Sequence, residues 1–123
     1  MTALTHIRLE LARETGHPEG DHATGYDLYL PLTVDGHIDA VAWQAAKADC
    51  LVRKFTSDGQ SAVGIIRHGP GGRWDFDYDD GASFGDEWGH RLDAERFVQG
   101  EYVSIRGPGD ATHTYKVINL VPV

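Results

Sequence analysis

Apolar and polar residues alternate with a period of two through most of the chain, and this pattern predicts β-strands. In "THIRLEL", Ile7, Leu9 and Leu11 share one face while His6, Arg8 and Glu10 share the other. "YDLYLPLTV" places Tyr26, Leu28, Leu30, Leu32 and Val34 together. Pro31 lies inside that run and cannot donate to a ladder, which assigns the strand to a sheet edge or a bulge. Further strands are expected in "CLVRKFTS", "SAVGIIRH", "RWDFDYD", "EYVSIR" and "TYKVINLVPV". The pattern changes once, at "HIDAVAWQAAKADC". There Asp39 can cap a helix rich in alanine, and Trp43 is expected to plug it onto the sheet or barrel end. A helical turn is expected at "DAERF", and the turn Asp35-Gly36 closes the run before the helix.

Turn chemistry gives an expected register. Asp58-Gly59 as a two-residue type I′ loop sets Arg53 opposite Gly64 and Val52 opposite Ile65. Gly69–Gly72 as a four-residue loop sets His68 opposite Arg73, Ile65 opposite Phe76 and Gly64 opposite Asp77. One face then reads Val52, Val63, Ile65, Trp74, Phe76, Tyr78, and Arg53 reaches Asp77 across Gly64 as a surface ion pair. The acids of "WDFDYDD" alternate with aromatics because they take the wet side of a strand whose other side fills the core.

These elements define a mainly β fold: an antiparallel, partly closed small barrel or rolled sheet of about seven strands with one short α-helix. The expected core is Trp74, Phe76, Ile65, Val63, Leu28 and Leu30. At 123 residues the chain fits a single β-rich domain, 1–123, with no repeat or linker.

Charge narrows the classes of function. Eleven basic against nineteen acidic residues give a net charge of −8, and the basic residues are scattered. Neither nucleic acid nor an anionic membrane is an expected partner. No apolar run approaches the roughly 20 residues of a membrane span, and the N-terminus lacks a signal-peptide core, so a cytoplasmic protein is expected. A single cysteine, Cys50, excludes an intramolecular disulfide and a cysteine zinc cage.

No motif names an activity, and whether the chain is an enzyme stays open. "DFDYDDGASFGD" has acids where a calcium loop needs its first, third and fifth ligands, but Asp80 replaces the turn glycine and Asp86 the closing glutamate. "HPEGDH" offers His17, Glu19, Asp21 and His22, with His37 or His90 from elsewhere, as a zinc, iron or nickel site. Pro18 and Gly20 make it a loop, and a solvated loop is the plainer account. Of this set His17, Asp21 and His22 are the metal candidates, and no cofactor is expected. Ser57, Ser61, Ser83 and Ser104 lack a nucleophile elbow, and Cys50 at a strand start reads as a small buried hydrophobe. "GPGG" and "GPGD" do not open helices and are not phosphate loops.

Taken together, "GHPEGDHATGYDLYLPLTVDGHIDAVAW", "RHGPGGRWDFDYDD" and "RFVQGEYVSIRGPGDATHTYKVINLVPV" resemble a family of small uncharacterised bacterial proteins, mainly of proteobacteria. The resemblance covers the chain from about Glu14 onward. It implies a small stand-alone cytoplasmic protein and carries no activity or site residues. The expected function is a non-enzymatic binding or interaction module for a protein or small molecule. The alternative is a metal-binding protein or metal-dependent enzyme using loop 17–22.

Overall fold

The structure is a computed structural model that describes residues 3–13, 18–69, 73–78, 87–88, 92, 95–106 and 112–123. Its strands are β1 (Thr5–Leu11), β2 (Asp21–Leu30), β3 (Leu51–Phe55), β4 (Ser61–His68), β5 (Trp74–Tyr78), β6 (Glu87–Trp88), β7 (Tyr102–Arg106) and β8 (Thr112–Pro122). Helix α1 (Ala40–Ala45) and a 3-10 turn (Lys47–Asp49) stand between β2 and β3. Each strand pairs antiparallel with the next and β8 returns to β1, closing a barrel. The seam is narrowest at the two-residue β6, where Asp75 faces Trp88 and Trp88 faces Arg106.

Alternation fills the interior. Ile7, Leu9, Tyr26, Leu28, Leu30, Trp74 and Phe76 are fully buried, and Val52, Val103, Ile105, Tyr115 and Val117 join them. A closed barrel of this size is filled by side chains rather than by a channel. Tyr26 sits centrally, 5.5 Å from the Phe76 ring and edge-on to Tyr115 at 5.0 Å.

The two hairpins differ from the expected register by one residue each. Thr56 accepts Gly59 N–H and donates its own N–H to Gln60 O, and Phe55 faces Ser61. The loop is therefore Ser57-Asp58-Gly59, with Gly59 at φ 88°. Three-residue loops of this kind end on a left-handed residue, and the Asp58 carboxylate organises this one by accepting from the Thr56 hydroxyl and from Gln60 N–H. In the next hairpin Gly69 N–H donates to Arg73 O, leaving three residues, 70–72, between the paired ends. Val52 thus faces Gly64, and Gly64 faces Tyr78.

A slip of one residue turns a strand over. On β4 the buried residues are Ala62, Gly64 and Ile66, while Val63 is exposed and Ile65 half-buried. Val63 and Ile65 are therefore not core residues. Arg53 does not meet Asp77: Arg53 binds Asp27 on β2, and Asp77 binds Arg67 at 2.6 Å. Trp74, Phe76 and Tyr78 do share the inner face, with Asp75 and Asp77 outside beside Arg73 and Arg67. The acids of β5 are the wet face of a barrel strand. Asp79, Asp80 and Asp86, and with them the calcium-loop pattern, lie outside the described residues.

Pro31 follows the last residue of β2, a strand paired on both sides, so it needs neither an edge nor a bulge. Leu32 is only half-buried and Val34 fully exposed, because the chain leaves the barrel there. It turns at Gly36 (φ 89°), bridges Leu32 to Ile38 and enters α1. Asp39 caps the helix as expected, accepting Ala42 N–H at 3.0 Å. A 3-10 turn at Leu92, closed by Glu95 N–H donating to Leu92 O at 3.1 Å, stands at the start of the expected helical turn, while 95–97 are not helical; Phe97 is buried and donates its N–H to Gly36 O. The other members of the expected turn at "DAERF", 93 and 94, lie outside the described residues. Helix α1, the 33–38 turn and Phe97 together close the barrel end at which β4 finishes and β5 begins. Among the described residues no helix is long and apolar enough to cross a membrane.

Candidate functional site

The metal candidates do not form a ligand set among the described residues, where no three His, Cys, Asp or Glu side chains could hold an ion. Asp21 and His22 are the first residues of β2 rather than loop positions. The Asp21 carboxylate accepts Ala23 N–H at 2.9 Å and the Thr24 hydroxyl at 2.7 Å. Glu19, Asp21 and His22 line an open surface groove of about 410 Å³ with Glu10, Arg13 and Lys116. His37 is at the opposite end of the barrel, where its Nδ1–H donates to Glu95 O. His17 and His90 lie outside the described residues.

The most ordered polar cluster is on the outer face of β1, β2 and β3, where Arg8 faces Asp27 and Asp27 faces Arg53. Asp27 is the one buried charged residue among those described, at 5 % exposure. It accepts His6 Nε2–H at 2.8 Å, Arg53 Nη2–H at 2.6 Å and, more loosely, Arg8 at 3.4 Å. His6 stacks on Tyr29, and the Arg8 guanidinium lies 4.0 Å above Phe55, the residue that faces Gly25 across β2 and β3. Burial pushes the Asp27 carboxyl up, but the hydrogen bonds from His6 and Arg53 and the charges of both arginines outweigh it, so it stands below the ordinary carboxylate range.

The groups of this cluster satisfy one another. A carboxyl whose folded pKa is depressed adds stability above its unfolded pKa, and that stability is lost as pH falls through the folded value. The stability difference between wild type and Asp27→Asn should therefore be largest near neutral pH and shrink as pH drops below about 4, the ordinary Asp value. Urea midpoints along an acid series check this; a difference that stays constant with pH would remove Asp27 from the account.

Among the described residues, a cavity sits at each barrel end. The open mouth holds one of about 220 Å³, lined by Leu11, Thr24, Lys54, Thr56, His113 and Tyr115. Its polar groups are already occupied. The Thr24 hydroxyl accepts Ser57 N–H and donates to Asp21, the Thr56 hydroxyl donates to Asp58, and Lys54, His113 and Tyr115 each have partners within the chain.

The second cavity, about 290 Å³, lies at the helical end between α1 and β4 and is lined by Trp43, Lys47, Ile65, Ile66, Arg67 and His68. The Asp39 cap starts the helix, and its first turn carries Trp43 down onto the barrel rim. There the indole N–H donates to Ile66 O at 3.1 Å, fixing the ring. The 3-10 turn brings Lys47 back over that ring, its ammonium 5.2 Å from the centroid. Ile66 N–H donates to Cys50 O, tying the turn to β4. His68 is held by stacking on Trp74 (4.1 Å, 14°) and by the edge of Trp43 at 5.8 Å.

Three basic side chains thus converge on an apolar floor, and none of the described lining residues is acidic. Lys47 has no carboxylate partner and neither His68 ring nitrogen a hydrogen bond among the described residues. Arg67 pairs with Asp77 yet stays 62 % exposed. Behind His68, the Trp74 indole nitrogen is buried with no acceptor among the described residues. Nearby Cys50 is buried and its thiol is pushed up to about 11 by burial and by Asp49, so it is no nucleophile at neutral pH.

Sequence reasoning placed Trp43 at the barrel end but did not gather Lys47, Arg67 and His68 around it. The available signal was "IIRH", a strand ending in two basic residues. Fold and groove together define a small closed β-barrel with one plugged end and a basic cleft beside the plug. No family model, curated protein or solved structure matches the chain.

Proposed function

We propose that this protein is a non-enzymatic binding module for a small molecule, and that the cleft between α1 and β4 is its binding site. One observation carries the reading: Lys47, Arg67 and His68 meet over the Trp43 floor with no acidic neighbour in the described lining, in a chain of net charge −8. Small-molecule sites combine an apolar concave surface with a few convergent polar groups, and this cleft has that composition. The mouth cavity is less suited, because its polar groups already have partners within the chain.

A ligand that binds only the folded state raises the melting temperature with concentration. Melting curves of the wild type across a panel of small organic compounds should give stabilisers. The effect of anionic stabilisers should shrink in Lys47→Met and persist in Lys54→Met at the mouth. Loss in Lys54→Met with retention in Lys47→Met, or no stabiliser at all, would overturn the reading.

A further inference from the structure

We infer that the cleft selects small aromatic carboxylates; this rests on the binding reading above and adds the ligand's chemistry. The shape of the site separates two requirements. Its floor is the half-buried Ile65 side chain and the small part of the otherwise buried Trp43 ring left open beside Lys47, which together offer a limited apolar surface to a flat group. Its rim carries a cation on each wall, Lys47 from the 3-10 turn and Arg67 from the end of β4, with the His68 imidazole beside Arg67.

A carboxylate suits that rim because it can accept from two donors at once, and charge-assisted bonds are stronger than neutral ones. Lys47 is the free anchor. Its ammonium hangs over an indole face with no carboxylate partner among the described residues, so an arriving carboxylate breaks no ion pair with them. Arg67 has guanidinium surface left beyond its contact with Asp77. His68 offers an unoccupied ring nitrogen while Trp74 fixes its plane. An aliphatic acid would satisfy the rim and leave the floor wet. A neutral aromatic would cover the floor and leave the cations uncompensated.

Isothermal titration with 2-naphthoate, 2-naphthamide, acetate and inorganic phosphate separates these cases. The acid should bind about tenfold tighter than its amide, the step expected for one charge-assisted contact. Acetate and phosphate should give no measurable heat of binding. Lys47→Met, an exposed substitution, should bring 2-naphthoate down to the affinity of the amide, and Arg67→Gln should weaken it in the same direction. Equal affinity for acid and amide would overturn the ligand class while leaving the binding reading intact. Acetate or phosphate binding as tightly as 2-naphthoate would do the same, by showing an anion site with no use for its floor. Failure of both aromatic probes while other compounds stabilise through Lys47 would also sink the class alone. Failure of every compound in both experiments would sink both.

Discussion

Phe76→Ala should lower unfolding free energy by about 3–5 kcal/mol, the range for emptying a buried phenylalanine site. Phe76 is fully buried on the inner face of β5 and its ring packs against Tyr26, the aromatic at the middle of the barrel. A barrel cannot collapse onto the void as two loosely packed helices might, because its hydrogen-bonded wall holds the opposite side chains apart. One residue away, Asp75 points outward to Arg73 at 3.0 Å and is only part-buried. Asp75→Ala should cost about 1 kcal/mol or less, as a surface ion pair does. Urea denaturation of both variants checks the contrast. Equal losses would mean that β5 does not divide into a dry and a wet face.

Gly25→Ala should be at least as damaging, losing about 3 kcal/mol or more or failing to fold, because added volume with no room forces backbone to move. Gly25 faces outward, yet a Cβ there would fall on the Leu9 carbonyl, well inside any tolerated approach. The atom it meets is backbone and cannot turn aside. β1 and β2 pass this close where their pairing shifts between Glu10 and Leu11, a local bend of the kind that closes barrels. Gly64 is similarly confined by the backbone of Asp77 and Tyr78. Gly59→Ala, in open space at φ 88°, should cost only the strain of that conformation. The yield of folded protein and the melting temperatures of the glycine variants test the ordering.

The sequence showed most of the strands, the capped helix and the plugging tryptophan, because each is written within one short segment. Side-chain parity along β5 needs no knowledge of its neighbours, so Trp74, Phe76 and Tyr78 could be placed inside without error. The faces of β4 could not be read that way. "SAVGIIRH" has apolar residues at both parities, and only the loop length decides between Val63-Ile65 and Ala62-Ile66. Asp58-Gly59 has the composition of a two-residue turn, but the Asp58 carboxylate and the left-handed Gly59 stabilise a three-residue loop. That single residue redistributes the core.

The outer cluster was hidden for a different reason. His6, Arg8, Asp27 and Arg53 sit at outward positions of three strands, and nothing local says that those strands are neighbours in that order. Asp21 and His22 were misplaced because polar "DHATG" does not alternate, although β2 extends through it to pair Asp21 with Leu11. The cleft was least legible of all. Lys47 belongs to the chain before β3, and Arg67 and His68 to the end of β4. They meet only because the Ile66–Cys50 hydrogen bond brings the 3-10 turn against that strand end.

The most direct test of the cleft as the binding site is an amide and indole NMR map of the protein titrated with a compound that stabilises it. Shifts should concentrate on the Trp43 indole N–H, the amide of Lys47 and the amides of Ile65 to His68. Those of Thr24, Lys54, Thr56 and His113 at the open mouth should stay in place. Shifts centred on the mouth residues, with the Trp43 indole signal unmoved, would contradict the account.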